Sequence, residues 1–100
     1  MKGITHIIET DSDKVMGIHY HPLSLEFMQT AVGGSIEIIP GFTRYMGKDC
    51  VAFCNEEGKL RDLPVNQDAT MEWRWQHPTP DILVGNVLVV TGDEEFMGAL

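Results

Sequence analysis

The chain has 100 residues, of which 43% are hydrophobic and 22% charged, and its formal net charge is −8. This length suits a single domain with one core, and the composition excludes a disordered or low-complexity protein. A surface this negative repels phosphate backbones, so direct binding to nucleic acid is not expected. The acidity serves solubility or, alternatively, mimicry of a nucleic acid; apart from Asp93-Glu94-Glu95 the acidic residues are scattered.

The N-terminal segment lacks the long apolar run of a signal peptide, because Glu9 interrupts it early. The longest apolar candidate, Ile82 to Val90, is about half of the roughly 18 residues that a membrane span needs. We therefore expect a cytoplasmic protein without membrane contact, in which Cys50 and Cys54 are reduced thiols.

The first predicted elements are a β-hairpin and a helix. Strands are expected over Ile4–Glu9 and Val15–Tyr20, joined by the polar turn Thr10–Asp13. A helix is expected to open at His21-Pro22, since proline suits a first helical turn, and to end at Gly33-Gly34. Its apolar residues share one face: Leu23, Phe27, Met28, Ala31 and Val32.

Short strands follow the helix. The pattern predicts a third strand over Ser35–Pro40, a connector over residues 41–47 and a fourth strand over Asp49–Asn55. The turn Asn55–Lys59, with Gly58 at a positive-φ position, would lead into a fifth strand, Leu60–Leu63.

The last part of the chain combines an unclear segment with a clear strand. Val65–Asp81 shows no readable period, whereas the apolar run Val87–Val90 predicts a strand buried on both faces. Residues 92–100 are expected to form a flexible tail or a short helix. The order predicts an α+β fold in one domain, 1–100, with a mainly antiparallel sheet of about five to six strands and one principal helix on a face.

Four segments together resemble a known family of small proteins. They are Val32–Glu37, Asn55–Leu60, Leu63–Asn66 and Ile82–Val90, and the likeness extends from about residue 23 to residue 90. In order and spacing they are similar to the family catalogued as domain of unknown function 3846. The resemblance implies a setting in bacteriophages, prophages and mobile elements, and it implies no catalytic residues. Residues 67–80 depart from the family pattern.

Two cysteines stand at i and i+4 in the predicted fourth strand. On a strand, Cys50 and Cys54 would lie about 13 Å apart, whereas two zinc-bound thiolates lie within about 4 Å of each other. A disulfide is excluded by the same distance. Both are therefore interpreted as small buried hydrophobic residues.

Histidines offer a weak metal hypothesis. His19 and His21 alternate along a strand, so both imidazoles would face one side, and a third ligand would come from His6, His77 or a carboxylate. Nothing in the sequence specifies that third ligand. Hydrogen-bonded or solvent-facing histidines are the simpler interpretation, and no cofactor is expected.

The best candidate for a binding surface is the segment around two tryptophans. Tryptophan and arginine are enriched in binding hot spots, and an extended backbone would place Met71, Trp73 and Trp75 on one face, with Arg74 on the other. The alternative is that the indoles cover an edge of the core.

No catalytic motif is found, since no serine lies in a nucleophile elbow and Gly33-Gly34 ends a helix instead of opening one. The preferred hypothesis is a non-enzymatic accessory protein of a phage or mobile element. It would bind and inhibit a host macromolecule, such as a basic or nucleic-acid-binding defence protein. The alternative is a small-ligand binder, such as a module that senses or sequesters a nucleotide, with Arg44, Arg61 or Arg74 holding phosphate. An exposed edge of the predicted fifth strand, Leu60–Leu63, would support a homodimer.

Overall fold

A computed structural model describes residues 1–10 and 12–100, and this part of the chain folds into seven strands and three helices. The strands are β1 Gly3–Ile8, β2 Asp13–His19, β3 Ile36–Ile38, β4 Arg44–Tyr45, β5 Lys48–Asp49, β6 Val51–Asn55 and β7 Val87–Gly92. The helices are α1 Leu25–Val32, α2 Gln67–Gln76 and α3 Glu94–Gly98.

Strand β7 lies at the centre of the main sheet, whose order is β2-β1-β7-β6-β3 with antiparallel neighbours. Val87 and Val89 are buried in the core on one face, and Leu88 and Val90 in the core on the other. A strand covered on both faces needs apolar residues at every position. The run Val87–Val90 therefore predicted the central strand correctly.

Strands β1 and β2 form the predicted hairpin. The register shifts between Thr5 and His6, so that Met16 is an extra residue in β2. Such a bulge on an edge strand hinders pairing with a further strand. The predicted polar turn between the two strands includes Asp11, which lies outside the described residues.

Helix α1 begins later than predicted, because Ser24 rather than Pro22 starts it. The Ser24 hydroxyl oxygen accepts a hydrogen bond from the Phe27 amide at 3.0 Å, which satisfies one free amide of the first turn. Pro22 precedes this cap instead of lying in the first turn. The end of the helix is as predicted: Gly33 has φ 79°, a left-handed conformation that glycine adopts without strain.

The last residues contain the predicted short helix, α3. Asp93 caps it by accepting a hydrogen bond from the Phe96 amide at 2.8 Å, and the Phe96 ring is buried. A Cβ on Gly3 would lie 2.0 Å from this ring, so glycine at position 3 leaves the space that the ring occupies. Helix α3 thus completes the core on the face of the sheet that the Phe96 ring covers.

The fifth strand predicted over Leu60–Leu63 is wrong, because residues 56–62 form consecutive turns. The Asn55 side chain accepts a hydrogen bond from the amide two residues on, at 2.8 Å, and local bonds of this kind replace cross-strand pairing. Gly58 does not have a positive φ. Glycine is needed there for space, since a Cβ would lie 2.8 Å from Val84 Cγ2.

The two faces of the sheet carry different cover. Helices α1 and α3 pack on one face, while α2 and the β4–β5 hairpin pack on the other. The α+β class and the antiparallel sheet are confirmed, although the helices lie on both faces instead of one principal helix on one. Among the described residues, no helix is long and apolar enough to cross a membrane.

Candidate functional site

The segment singled out from the sequence lies in helix α2, so the common face that an extended backbone would give Met71, Trp73 and Trp75 does not exist. On a helix, residues four apart share a face, whereas residues two apart point to different sides. Met71 and Trp75 are therefore neighbours, and Trp73 is separated from both. The structure divides the predicted site into a buried and an exposed part.

Trp73 belongs to the core. Its side chain is 5% exposed, its Nε1–H donates to the carbonyl oxygen of Pro40 at 2.7 Å, and its ring stacks on His77 with centroids 5.7 Å apart. These contacts hold α2 against the chain that follows β3. The second interpretation, an indole that covers the core, applies to Trp73.

Met71 and Trp75 form an exposed apolar pair, which we call the α2 ridge. Trp75 is 88% exposed and Met71 is 70% exposed, and both lie opposite the buried residues Ala69 and Trp73. An indole exposed on an ordered helix leaves a large apolar area in water. The first interpretation, a contact surface, therefore remains for these two residues.

Arg74 has a structural role. Its Nε and Nη2 donate to the carbonyl oxygens of Asp81 and Pro80, each at 2.9 Å. These bonds fix the loop after α2 against the helix. The guanidinium thus already has two acceptors.

Gln76 connects α2 to the β4–β5 hairpin. Its Oε1 accepts hydrogen bonds from the amides of Thr43 and Arg44 at 3.0 and 2.9 Å, and its Nε2 donates to the Arg44 carbonyl at 2.9 Å. Three bonds from one side chain hold the last turn of α2 in place. The α2 ridge is consequently presented on a fixed support.

Beside the ridge lies a small acidic cavity of about 210 Å³, which we call the acidic notch. It brings together residues from β1, β2, β4 and α2, and sequence reasoning missed all of them except Met71. Had the segment been interpreted as a helix from the sequence, the three- and four-residue spacings would have placed Asp68 and Glu72 next to Met71 and Trp75. The lining residues are Ile8, Asp13, Tyr45, Asp68, Met71 and Glu72.

Tyr45 closes the floor of the acidic notch. Its hydroxyl donates to Asp13 Oδ2 at 2.7 Å, and its ring is buried. Burial, followed by the hydrogen bond and charge of Asp13, raises the pKa of Tyr45 far above its usual value of 10.0. The phenol therefore stays protonated and donates to Asp13, which remains the acceptor.

His6 packs edge-on against Tyr45, with ring centroids 5.3 Å apart, and this predicts a pH dependence of stability. Burial, then the charge of Lys48, lowers the pKa of His6 below 6.5, although Asp13 opposes the shift. The unfolded chain then binds this proton more readily, so the stability present above the unfolded pKa is lost as the pH falls towards the lowered value.

We expect the free energy of unfolding to fall between about pH 7.5 and pH 5.5, and the His6→Gln variant to lose part of this slope. The effect of one part-exposed group is a fraction of the limit of about 1.4 kcal/mol per pH unit. Urea unfolding across this range measures it. The exposed His21, changed to asparagine, is the control; an equal loss of slope in both variants would contradict the assignment to His6.

The edge of the sheet continues the apolar surface beyond the notch. Val15 pairs with His6 and Ile18 pairs with Ile4, and paired residues point to the same side of a sheet as each other. This is the side of Ile8, hence the α2 side. Val15 and Ile18 are exposed, so the α2 ridge, the acidic notch and the β2 edge lie on one side of the molecule.

The two histidines of the metal hypothesis line one shallow cavity, but His19 already has partners within the fold. His19 Nε2 lies 2.9 Å from Thr5 Oγ1, and its ring packs edge-on against Phe27 at 5.1 Å. His21 is exposed. In residues 1–10 and 12–100 there is no group of three histidine, cysteine or carboxylate side chains that could hold a metal ion.

Both cysteines are free thiols. Cys50 is buried, with Sγ 3.7 Å from the Phe42 carbonyl oxygen, and Cys54 packs against the core on the α2 side. Burial, and secondarily the charges of Asp49 and Glu37, raise the pKa of Cys50 and that of Cys54 to about 11. Both are therefore protonated at neutral pH and poor nucleophiles.

The three arginines of the nucleotide hypothesis have other partners. Arg44 donates to Asp49 at 2.9 Å, Arg61 donates to the Gly33 carbonyl at 3.0 Å, and Arg74 holds the loop after α2. Each guanidinium is bound to a different part of the fold. The structure does not gather them into a phosphate clamp.

Comparison with known proteins gives the family. A family model described as Domain of unknown function (DUF3846) matches residues 2–99, which is nearly the whole chain. The chain therefore belongs to this family, and the resemblance stated from the four segments is confirmed. No curated protein and no solved structure matches it.

Proposed function

We propose that this member of the DUF3846 family is a non-enzymatic binding protein whose α2 side docks on a basic partner protein. One observation carries the proposal: Trp75 is 88% exposed on a helix whose opposite face is fixed in the core. A large aromatic group that an ordered helix holds in water suits burial in a partner's pocket.

The α2 ridge has the properties of a binding anchor. Tryptophan is among the residues that lose most binding energy when truncated, and methionine adapts its shape to the surface opposite. Gln76 and Trp73 fix the helix beneath the ridge, so little backbone ordering is needed on binding. The ridge would supply the apolar centre of the interface.

Charge complementarity identifies the kind of partner. Asp13, Asp68 and Glu72 surround the acidic notch directly beside Met71, and the whole chain carries a net charge of −8. A lysine or arginine of the partner would enter the notch and lie against Met71. A further basic residue of the partner would contact Trp75 by cation–π attraction. The long-range negative field would increase the association rate with such a surface.

For the biological setting we propose a host cytoplasm invaded by a phage or mobile element. A chain of this size without assigned chemistry would act there by occupying a surface of a host macromolecule, as an anti-defence inhibitor does. A basic, nucleic-acid-binding host protein fits the charge of the α2 side. Self-association through the β2 edge is the competing use of this side.

The test begins with capture from host lysate and identification of the captured protein, followed by measurement with the purified pair. Trp75→Ala is expected to weaken binding by about thirtyfold or more, since hot-spot truncations cost about 2 kcal/mol or more. Asp68→Asn with Glu72→Gln is expected to lower the association rate and its salt dependence. Isothermal titration calorimetry and stopped-flow mixing provide these values.

Two controls locate the effect. Leu25→Ala removes an exposed apolar side chain from α1, on the opposite face of the sheet, and is expected to leave affinity unchanged. Glu37→Gln with Glu56→Gln changes the net charge by the same amount as Asp68→Asn with Glu72→Gln, but at a place away from the α2 ridge. It therefore separates the effect of net charge from the effect of charge at the acidic notch. Equal affinity for the Trp75→Ala variant, or capture of this chain alone as its own partner, would overturn the proposal.

A further inference from the structure

A second cavity lies on the α2 side at the opposite edge of the sheet, beside β3. Its volume is about 290 Å³, and it is separate from the α2 ridge because Trp73, not Trp75, contributes to its wall. The lining combines apolar side chains with a charged rim. The apolar residues are Ile39, Pro40, Leu60, Trp73, Ile82, Leu83 and Val84, and the polar ones are Glu37, Asn55, Glu56, Lys59 and Asp81.

The inner wall is apolar and rigid. Ile39, Trp73 and Leu83 are buried, and the Trp73 indole is held by its hydrogen bond to Pro40. Leu83 is held from behind, since its amide donates to Thr70 Oγ1 at 2.9 Å. A preformed apolar wall of this size suits the body of a small organic ligand.

The register of β3 and β6 places two carboxylates at the mouth. Glu37 pairs with Cys54, and the Glu56 amide donates to the Ser35 carbonyl at 2.8 Å, which continues the same register. Glu37 and Glu56 are therefore diagonal neighbours on the α2 side, about 7 Å apart. Both are exposed, and neither has a basic partner among the described residues.

The other two charged residues at the rim of the cavity form an ion pair, which leaves the rim with an excess of negative charge. The Lys59 ammonium donates to Asp81 Oδ1, and this hydrogen bond lowers the pKa of Asp81. Three carboxylates thus face one ammonium at the rim. Anions would be repelled here, whereas a second cation would find Glu37 and Glu56 free to receive it.

We propose that this cavity is a binding site for a small organic cation, an amine or guanidinium on a short apolar body. The charged head would pair with Glu37 and Glu56, and the apolar body would lie against Trp73 and Leu83. Lys59 and the adjoining Leu60, which is 89% exposed, form the outer border of the site. Because exposed ion pairs are weak, Lys59 would leave Asp81 readily to admit a ligand.

The test uses the Trp75→Phe variant, in which Trp73 is the remaining tryptophan and reports on the cavity. We expect 2-phenylethylamine and agmatine to change its emission in a saturable way, whereas 3-phenylpropionate, an aromatic anion, leaves it unchanged. Amide chemical shifts in the same titration should move at Ile39 and at residues 81–84, which line the cavity. Absence of saturation in both readouts with every amine at millimolar concentration would overturn the proposal.

A charge-matched pair of variants separates a built site from general attraction. Glu37→Gln with Glu56→Gln is expected to weaken amine binding by about tenfold, as removal of charge-assisted hydrogen bonds does. Glu26→Gln with Glu94→Gln removes the same charge on α1 and α3, on the opposite face of the sheet, and should leave amine affinity unchanged. An equal loss in both double variants would overturn the proposal; if the first does not fold, Glu37→Gln alone is measured.

Discussion

Replacing Asn66 with alanine is expected to lower the free energy of unfolding by about 4 kcal/mol, a large part of the total of a domain this size. Asn66 is fully buried, and its Nδ2 donates to the carbonyl oxygens of Ile8 and Gly85 at 2.7 and 2.8 Å. Its Oδ1 accepts from the Ala69 amide and caps α2. One side chain therefore joins the end of β1, the start of α2 and the turn before β7.

Asn66→Asp separates the two roles of this residue. Aspartate caps a helix as well as asparagine does, but it has no N–H to donate to Ile8 and Gly85, and its charge would face two carbonyl oxygens. We expect it to destabilise the fold at least as much as alanine, measured by urea unfolding. Stability within about 0.5 kcal/mol of the parent chain would show that only the cap matters.

The elements with a regular pattern were predictable from the sequence. The β1–β2 hairpin, α1 with its Gly33 end, and β7 have apolar residues at strand, helix or continuous spacing, and the structure places them as expected. The start of α1 differs because a hydroxyl that accepts an amide bond, at Ser24, decides it. The segment after Asn55 differs because local side-chain bonds compete with strand pairing.

Helix α2 was not predictable from the sequence, because exposed apolar residues obscure its helical period. Met71 and Trp75 are apolar residues on the outer face, so they break the period that Ala69 and Trp73 create on the inner face. From the sequence alone, an exposed apolar pair on a helix removes the separation of apolar and polar faces by which the helix would be predicted. The same irregularity now indicates the surface proposed for binding.

The acidic notch and the cation site were beyond sequence reasoning for another reason. The notch joins Asp13 and Tyr45 to α2, and the link between Gln76 and Arg44 spans 32 residues. Such contacts depend on how the hairpin packs, and no local spacing encodes them. For the cation site, β3–β6 pairing was needed to place Glu37 near Glu56.

Truncation of Trp73 is expected to lower the free energy of unfolding strongly, whereas truncation of Trp75 is expected to leave it almost unchanged. Trp73→Ala should cost about 4 kcal/mol of unfolding free energy, because it leaves a cavity under α2 and removes the hydrogen bond to Pro40. Trp73→Phe retains most of the volume and should cost about 1–2 kcal/mol. Trp75→Ala should change stability by no more than about 0.5 kcal/mol, since its side chain is in water.

Quenching by acrylamide tests the same contrast with conservative replacements that retain most of the packing. In the Trp75→Phe variant the remaining indole, Trp73, should be protected, whereas in Trp73→Phe the remaining Trp75 should be quenched strongly. A protected Trp75, or a Trp75→Ala variant as unstable as Trp73→Ala, would mean that the ridge is packed within the fold. The docking proposal would then lose its anchor, because binding through Trp75 requires that its truncation weakens the complex and spares the free chain.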